Sequence, residues 1–209
     1  MSAVYNRIAG QSVDRLAALS DGVFAFAVTV LVINLHPPAS GGIQSEHALW
    51  DALRDLAPEL VTYLMSFLTL GIFWIGQQAQ LSQFVRSSRD LAWIHLGFLL
   101  SVTMVPFSTA LLTAFISFRI ALLVYWLNIL LLGVVRYASW RYAEKAGLVR
   151  DDVAPAMRKA VELRILRAQA PYAIGAFLCI AGTYWSIGFI VLVQLNYAVA
   201  PRVRMLYNL

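Results

Sequence analysis

The stretch Arg15-Leu-Ala-Ala-Leu-Ser-Asp21-Gly-Val-Phe-Ala-Phe-Ala-Val-Thr-Val-Leu-Val-Ile-Asn-Leu35 decides the fold. From Gly22 to Leu35 it holds no Asp, Glu, Lys or Arg, and nearly every residue is apolar. Such a run approaches the roughly 20 residues an α-helix needs to cross a bilayer core. Working outward, the candidate spans fall at 18–35, 58–75, 91–112, 120–138, 165–184 and 187–203. Composition agrees: 60% of the 209 residues are hydrophobic and 13% charged, against about half and about a quarter in a soluble domain. The expectation is all-α, a six-transmembrane-helix bundle forming one domain over residues 1–209. No cleavable signal peptide is expected, since the first twelve residues are polar and mixed.

The flanks orient the bundle. Of sixteen Lys and Arg residues, fourteen fall in the two termini, the loop holding Arg86 and Arg89, and the long segment from Arg136 to Arg167. Only Arg54 and Arg119 lie on the other side. The positive-inside rule then places both termini in the cytoplasm, with an even number of spans, as a multi-pass protein of the cell membrane. Arg164 and Arg167 snorkel at the start of the fifth span. Thr183-Tyr-Trp-Ser-Ile-Gly188 reads as a short aromatic turn before the sixth. Residues 152–167 suit an amphipathic helix running into the fifth span, its charges facing water and anionic headgroups. These positions also explain the net charge of +5 without nucleic acid as a partner.

Several functions are disfavoured. One cysteine, Cys179, excludes an intrachain disulfide and reads as a buried apolar thiol. His36, His47 and His95 lack the spacing that gathers metal ligands on one face. No nucleophile–base pair lies within the apolar runs, so an enzyme, a catalytic residue, a metal site or a cofactor is not expected.

Polar groups inside the apolar runs need a reason. Asp21 stands at the start of the first run, and Arg15, six residues earlier, lies about 240° around the helix. The two therefore do not stack, and each must find partners elsewhere. Asp21 either carries function or favours the positive end of its helix. Gly22, Phe26, Thr29, Val30 and Ile33 fall on one stripe. That stripe is core in a lone bundle, or a hydrophobic constriction around a symmetry axis. Trp74, Gln77 and Gln78 close the second span, while Arg89, Asp90 and His95 open the third, which suggests a hydrogen-bonded network between helices. Pro106 should kink the third span and free a carbonyl for Ser108 or Thr109.

Arg15-x-x-x-Leu19-Ser20-Asp21-Gly-Val resembles the Arg-x-x-x-Phe-Ser-Asp signature of the transmembrane protein 175 family, the lysosomal potassium channel and its prokaryotic relatives. Trp74 and the run Pro106-Phe-Ser-Thr-Ala-Leu-Leu112 support it, as do six spans in about 200 residues. The resemblance implies a homotetrameric, potassium-permeable cation channel that lacks the Thr-Val-Gly-Tyr-Gly filter, with the first helix of each subunit lining the pore. It further implies a gate at Phe26, Val30 and Ile33 and a part for Thr29 in selectivity. Arg15, Ser20, Asp21, Trp74, Gln77 and His95 would form the motif and hydrogen-bond network holding the pore helix. Leu19 replaces the family's phenylalanine, Gln77 a common histidine, His95 a common asparagine, and Phe26 the usual Ile or Leu.

The partners implied are three further copies of the chain, potassium and other monovalent cations as permeants, and membrane lipid. The alternative is a proton- or cation-coupled secondary transporter using Asp21, Asp90 and His95, against which the spans show no inverted repeat. The orientation is directly testable. A green fluorescent protein fused to the C-terminus should fluoresce in cells while a fused alkaline phosphatase stays inactive; the reverse pair of results would overturn it.

Overall fold

Ser12 starts the first helix by accepting a hydrogen bond from the Arg15 N–H at 3.3 Å, a cap of about 1 kcal/mol. This computed structural model describes residues 12–152 and 155–199, and the regular structure among them is helical apart from one isolated bridge. The helices are α1 (Val13–Ile33), α2 (Glu46–Asp55), α3 (Ala57–Leu81), α4 (Arg89–Thr103), α5 (Val105–Ala114), α6 (Arg119–Lys145), α7 (Pro155–Leu178) and α8 (Thr183–Val199), with a 3-10 turn at Ser40–Gly42.

Among the described residues, four stretches are long and apolar enough to cross a membrane: Val13–Ile33, Ala57–Leu81, Arg89–Ala114 and Arg119–Lys145. They overlap the first four expected spans, the first ending at Ile33 and not at Leu35. The third is not one continuous helix, because α4 ends at Thr103 and α5 restarts at Val105. Pro106 sits in the first turn of α5, where a missing N–H costs little. The hydroxyls of Ser108 and Thr109 reach the Val105 carbonyl, at 3.0 and 2.7 Å. They do not serve the Val102 carbonyl, four residues before Pro106, that the proline leaves without its helical donor.

The end of the chain meets one expectation and departs from another. Residues 155–178 form one helix, so the amphipathic segment and the start of the fifth apolar run are continuous. The break after it lies at 179–182, not at 183–188. Gly182, at φ 155°, takes the turn, and Tyr184 and Trp185 stand exposed on the first turn of α8. Glycine supplies a backbone conformation that aromatic residues avoid, while the rings are free to occupy an interface.

α1 buries Ser20, Phe24, Ala27 and Leu31, at steps of four, three and four, against α3, α4 and α5. Phe24, Ala27 and Leu31 join Met65, Leu70, Phe73, Phe98, Leu99 and Val102 in the main core. A smaller core lies at the Asp21 end of the bundle, where Phe84 stacks on Trp140 with ring centroids 6.0 Å apart. Two backbone bonds hold it, Val85 N–H to Leu148 O and Arg150 N–H to Gln83 O, both 2.9 Å. They tie the end of α3 to the end of α6. Gly147, at φ 63°, lets α6 stop there: the Leu148 N–H returns to Ala143 O at 2.9 Å, closing the helix with a left-handed residue.

α6 and α7 are joined outside the apolar run that begins at residue 165. Glu162 Oε1 accepts from the Tyr137 hydroxyl at 2.8 Å and from Arg141 Nη1 at 3.0 Å. The Tyr137 hydrogen bond, then the Arg141 guanidinium, hold the Glu162 carboxyl below its ordinary value. A depressed carboxyl stabilises the fold above the unfolded value near 4.5 and loses that contribution as pH falls through the folded value. Thermal unfolding followed from neutral pH down past about 4.5 should therefore show a steeper loss in the wild type than in Glu162→Gln. Parallel curves would remove Glu162 from the acid response.

Candidate functional site

Two consecutive residues of α1 reach different partners on the neighbouring helices. Ser20 is fully buried and Asp21 exposed. Ser20 Oγ lies 2.7 Å from the Leu16 carbonyl, 2.8 Å from His95 Nε2 on α4 and 3.1 Å from Gln77 Nε2 on α3. His95 Nε2 is also 3.2 Å from the Leu16 carbonyl, and Gln77 Nε2 is 3.3 Å from His95 Nδ1. A neutral imidazole carrying its proton on Nε2 satisfies these contacts together. The serine then donates to Leu16 O and accepts from His95, and the Gln77 amide donates to Ser20 and to Nδ1.

Asp21 turns the other way. Its Oδ1 accepts from Trp74 Nε1 at 2.8 Å and from Gln78 Nε2 at 2.5 Å, both on α3. A carboxylate holding two N–H donors makes charge-assisted bonds stronger than neutral ones. The α3 donors recur at 74, 77 and 78, one helical turn, so a single turn grips both residues of α1.

Of the six network residues expected from sequence, five meet here in two groups: Ser20 with Gln77 and His95, and Asp21 with Trp74. Arg15 stands apart. It is exposed, its N–H completes the Ser12 cap, and no side-chain hydrogen bond or ion pair joins it to the described residues. Asp90 also lies outside the cluster, accepting from the Tyr142 hydroxyl at 3.1 Å. The three residues expected at the constriction, Phe26, Val30 and Ile33, and Thr29, expected to act in selectivity, share the outer side of α1. Phe26 is 67% and Ile33 68% exposed, Thr29 is exposed and Val30 half-buried. None belongs to the subunit's core.

With this geometry in place, the chain can be compared with known proteins. The family described as endosomal/lysosomal potassium channel TMEM175 matches residues 15–106. A protein of Streptomyces collinus named a potassium channel is 33% identical over 150 residues, 69% of this chain and 71% of that one. The chain belongs to the TMEM175 family. A second relative, from Chamaesiphon minutus and also named a potassium channel, is 31% identical over 135 residues, 63% of this chain and 66% of that one. The fold agrees. The crystal structure of a lysosomal potassium-selective channel TMEM175 homolog from Chamaesiphon minutus superposes with a TM-score of 0.77 at 24% identity, covering 91% of this chain and 98% of that one.

Behind the TMEM175 motif lies a polar interior that sequence reasoning missed. On α3, Thr62 meets Thr113 at 2.6 Å, Ser66 meets Thr109 at 2.7 Å, and Thr69 meets the Tyr125 hydroxyl at 3.0 Å. Gln194 of α8 donates to Thr69 at 2.6 Å and to Tyr172 at 3.3 Å, and Asn128 donates to Ser108 at 3.2 Å. Arg136 of α6 reaches α3 through Nη2 to Gly76 O at 2.6 Å and Nε to Gln80 Oε1 at 3.1 Å. A signal was present: Thr62, Ser66, Thr69, Gln77 and Gln80 all lie on the buried stripe of α3.

Asp21→Ala leaves two α3 donors without their acceptor, while Asp21→Asn keeps an oxygen there. Thermal unfolding in detergent should show Asp21→Ala destabilised by about 1–2 kcal/mol and Asp21→Asn by less than half of that. Equal losses would count against the bonds as the fastening.

Proposed function

We propose that four copies of this chain surround an axis lined by α1 and conduct potassium, with other monovalent cations, passively across the cell membrane. Each subunit crosses six times with both termini in the cytoplasm, α7 and α8 supplying the fifth and sixth spans. Two observations support permeation by potassium: relatives from Streptomyces collinus and Chamaesiphon minutus bear the name potassium channel, and the fold matches a potassium-selective homolog.

The single observation that carries the reading is the division of α1 into two faces. Ser20, Phe24, Ala27 and Leu31 are buried, while Asp21, Phe26, Thr29 and Ile33 remain outside the subunit. A face turned only to lipid has no use for a carboxylate and a hydroxyl. Facing an axis, both acquire a role. Asp21 concentrates cations at the inner mouth. Phe26 follows about 7.5 Å further along the helix and Ile33 about 10 Å beyond that, with Val30 between them. These apolar layers gate by excluding water, and the Phe26 ring is the bulkiest of them.

Thr29 adds a polar element. Its hydroxyl donates to the Phe26 carbonyl at 2.8 Å, so its proton is engaged within the helix. The oxygen's lone pairs remain to meet a partly dehydrated cation, which is the selectivity role proposed for it. Arg15, Ser20, Asp21, Trp74, Gln77 and His95 act as the brace, with Arg15 at the helix entrance and the others fixing α1 on α3 and α4.

Purified protein in liposomes should give passive potassium flux, and Phe26→Ala should raise it several-fold with altered selectivity over sodium. Unchanged flux and selectivity would remove Phe26 from the constriction. A monomeric stoichiometry in the bilayer would overturn the axis itself.

A further inference from the structure

Gln77 uses only one end of its amide. Its Nε2 donates to Ser20 Oγ at 3.1 Å and to His95 Nδ1 at 3.3 Å. Turning the amide over would set its oxygen against two atoms with no proton to give. The Ser20 proton is committed to the Leu16 carbonyl, and Nδ1 offers a lone pair. The amide oxygen therefore points away from that network. Gln77 is 4% exposed, and its Oε1 is fully buried with no hydrogen-bond partner among the described residues. Inside a bilayer such an acceptor needs a donor.

Beside it lies a cavity of about 10 Å³ between α3, α4 and α6, whose polar wall is Gln77, Gln80, His95, Arg136 and Ser139. All of these but Arg136 are buried, so the space is inside the bundle. His95 has both ring nitrogens engaged. Gln80 donates to the Arg136 carbonyl at 3.2 Å and accepts from Arg136 Nε at 3.1 Å. That leaves one lone pair on Gln80 Oε1. Arg136 spends its printed bonds on Gly76 and Gln80 of α3 and brings its charge to the wall. The Ser139 hydroxyl makes no hydrogen bond to a described residue. Two acceptor sites and one hydroxyl thus share one small space.

We propose that this cavity binds one water molecule, which bridges Gln77 of α3 to Ser139 of α6. Size and chemistry agree on the occupant. A volume of about 10 Å³ is roughly what a single water requires, and it excludes a larger anion or an organic molecule. The charge of Arg136 disfavours a cation there. The water donates one proton to Gln77 Oε1 and the other to Gln80 Oε1, and it accepts from Ser139. Three bonds are usual for a buried water. Held in this way, the Gln77 amide keeps the orientation that serves Ser20, and the fastening of α1 extends through α3 and α4 to α6. The site concerns that fastening and does not depend on conduction.

A crystal structure of the full chain, at a resolution that shows ordered water, should carry one peak within about 3.2 Å of both Gln77 Oε1 and Ser139 Oγ. The lack of a peak would overturn the proposal, and so would a peak that gains an anomalous signal from rubidium, which would show a cation. Thermal unfolding answers independently, by its sign. Ser139→Ala removes the donor to the water and should lower the midpoint by about 2–4 °C. In a dry cavity the same change deletes an unpartnered hydroxyl and improves helix propensity. A midpoint that holds or rises would therefore also overturn the bridge.

Discussion

Inside a bilayer there is no water to take back a polar group that its neighbours fail to satisfy, and this constraint organises the subunit. Ser20 is placed wholly out of reach of solvent, yet His95, Gln77 and Leu16 give its hydroxyl a complete set of partners. The same rule runs through the interior as paired hydroxyls and amides on α3, α5, α6, α7 and α8. Each such bond adds only about 0.6 kcal/mol on average in a membrane protein. Their larger effect is on specificity, because a helix that slid or rotated would strand several of them at once.

Close approach between helices is the second requirement, and glycine meets it at chosen places. Gly76 accepts the Arg136 guanidinium, Gly133 the Gln169 amide, and Gly175 the Ile190 side chain; a Cβ at any of the three would occupy space already filled. At Gly76 the seated group also hydrogen-bonds to the glycine carbonyl, so packing and polar pairing are met there by one contact. Dispersion supplies the attraction that the hydrophobic effect cannot supply between helices in lipid.

Much of this could be read in the chain. Long charge-free runs located α1, α3, the α4–α5 pair and α6, because bilayer thickness sets a length that composition alone can reveal. The motif residues Ser20, Asp21, Trp74, Gln77 and His95 were legible as polar groups crowded at one end. Which pairs with which was not: Gln78, outside the six residues expected in the network, shares Asp21 with Trp74, and that choice depends on helix rotation. The α7–α8 break was misplaced because aromatic residues suit both an interfacial turn and an exposed helical face, and only backbone geometry separates them. The threonines and serines of α3 escaped notice because uncharged residues barely lower the hydropathy of a span. Arg136 was taken as a flanking charge because its partners come from a helix some sixty residues away in sequence.

The two α3 donors converge on one and the same oxygen of Asp21. Held at that atom by an indole and an amide of fixed position, the carboxyl group has lost its freedom to spin about the bond to its Cβ. The second oxygen is thereby given one heading and one height. A side chain that would otherwise sweep through a cone behaves as a stationary negative point, and its field reaches the same place at every instant.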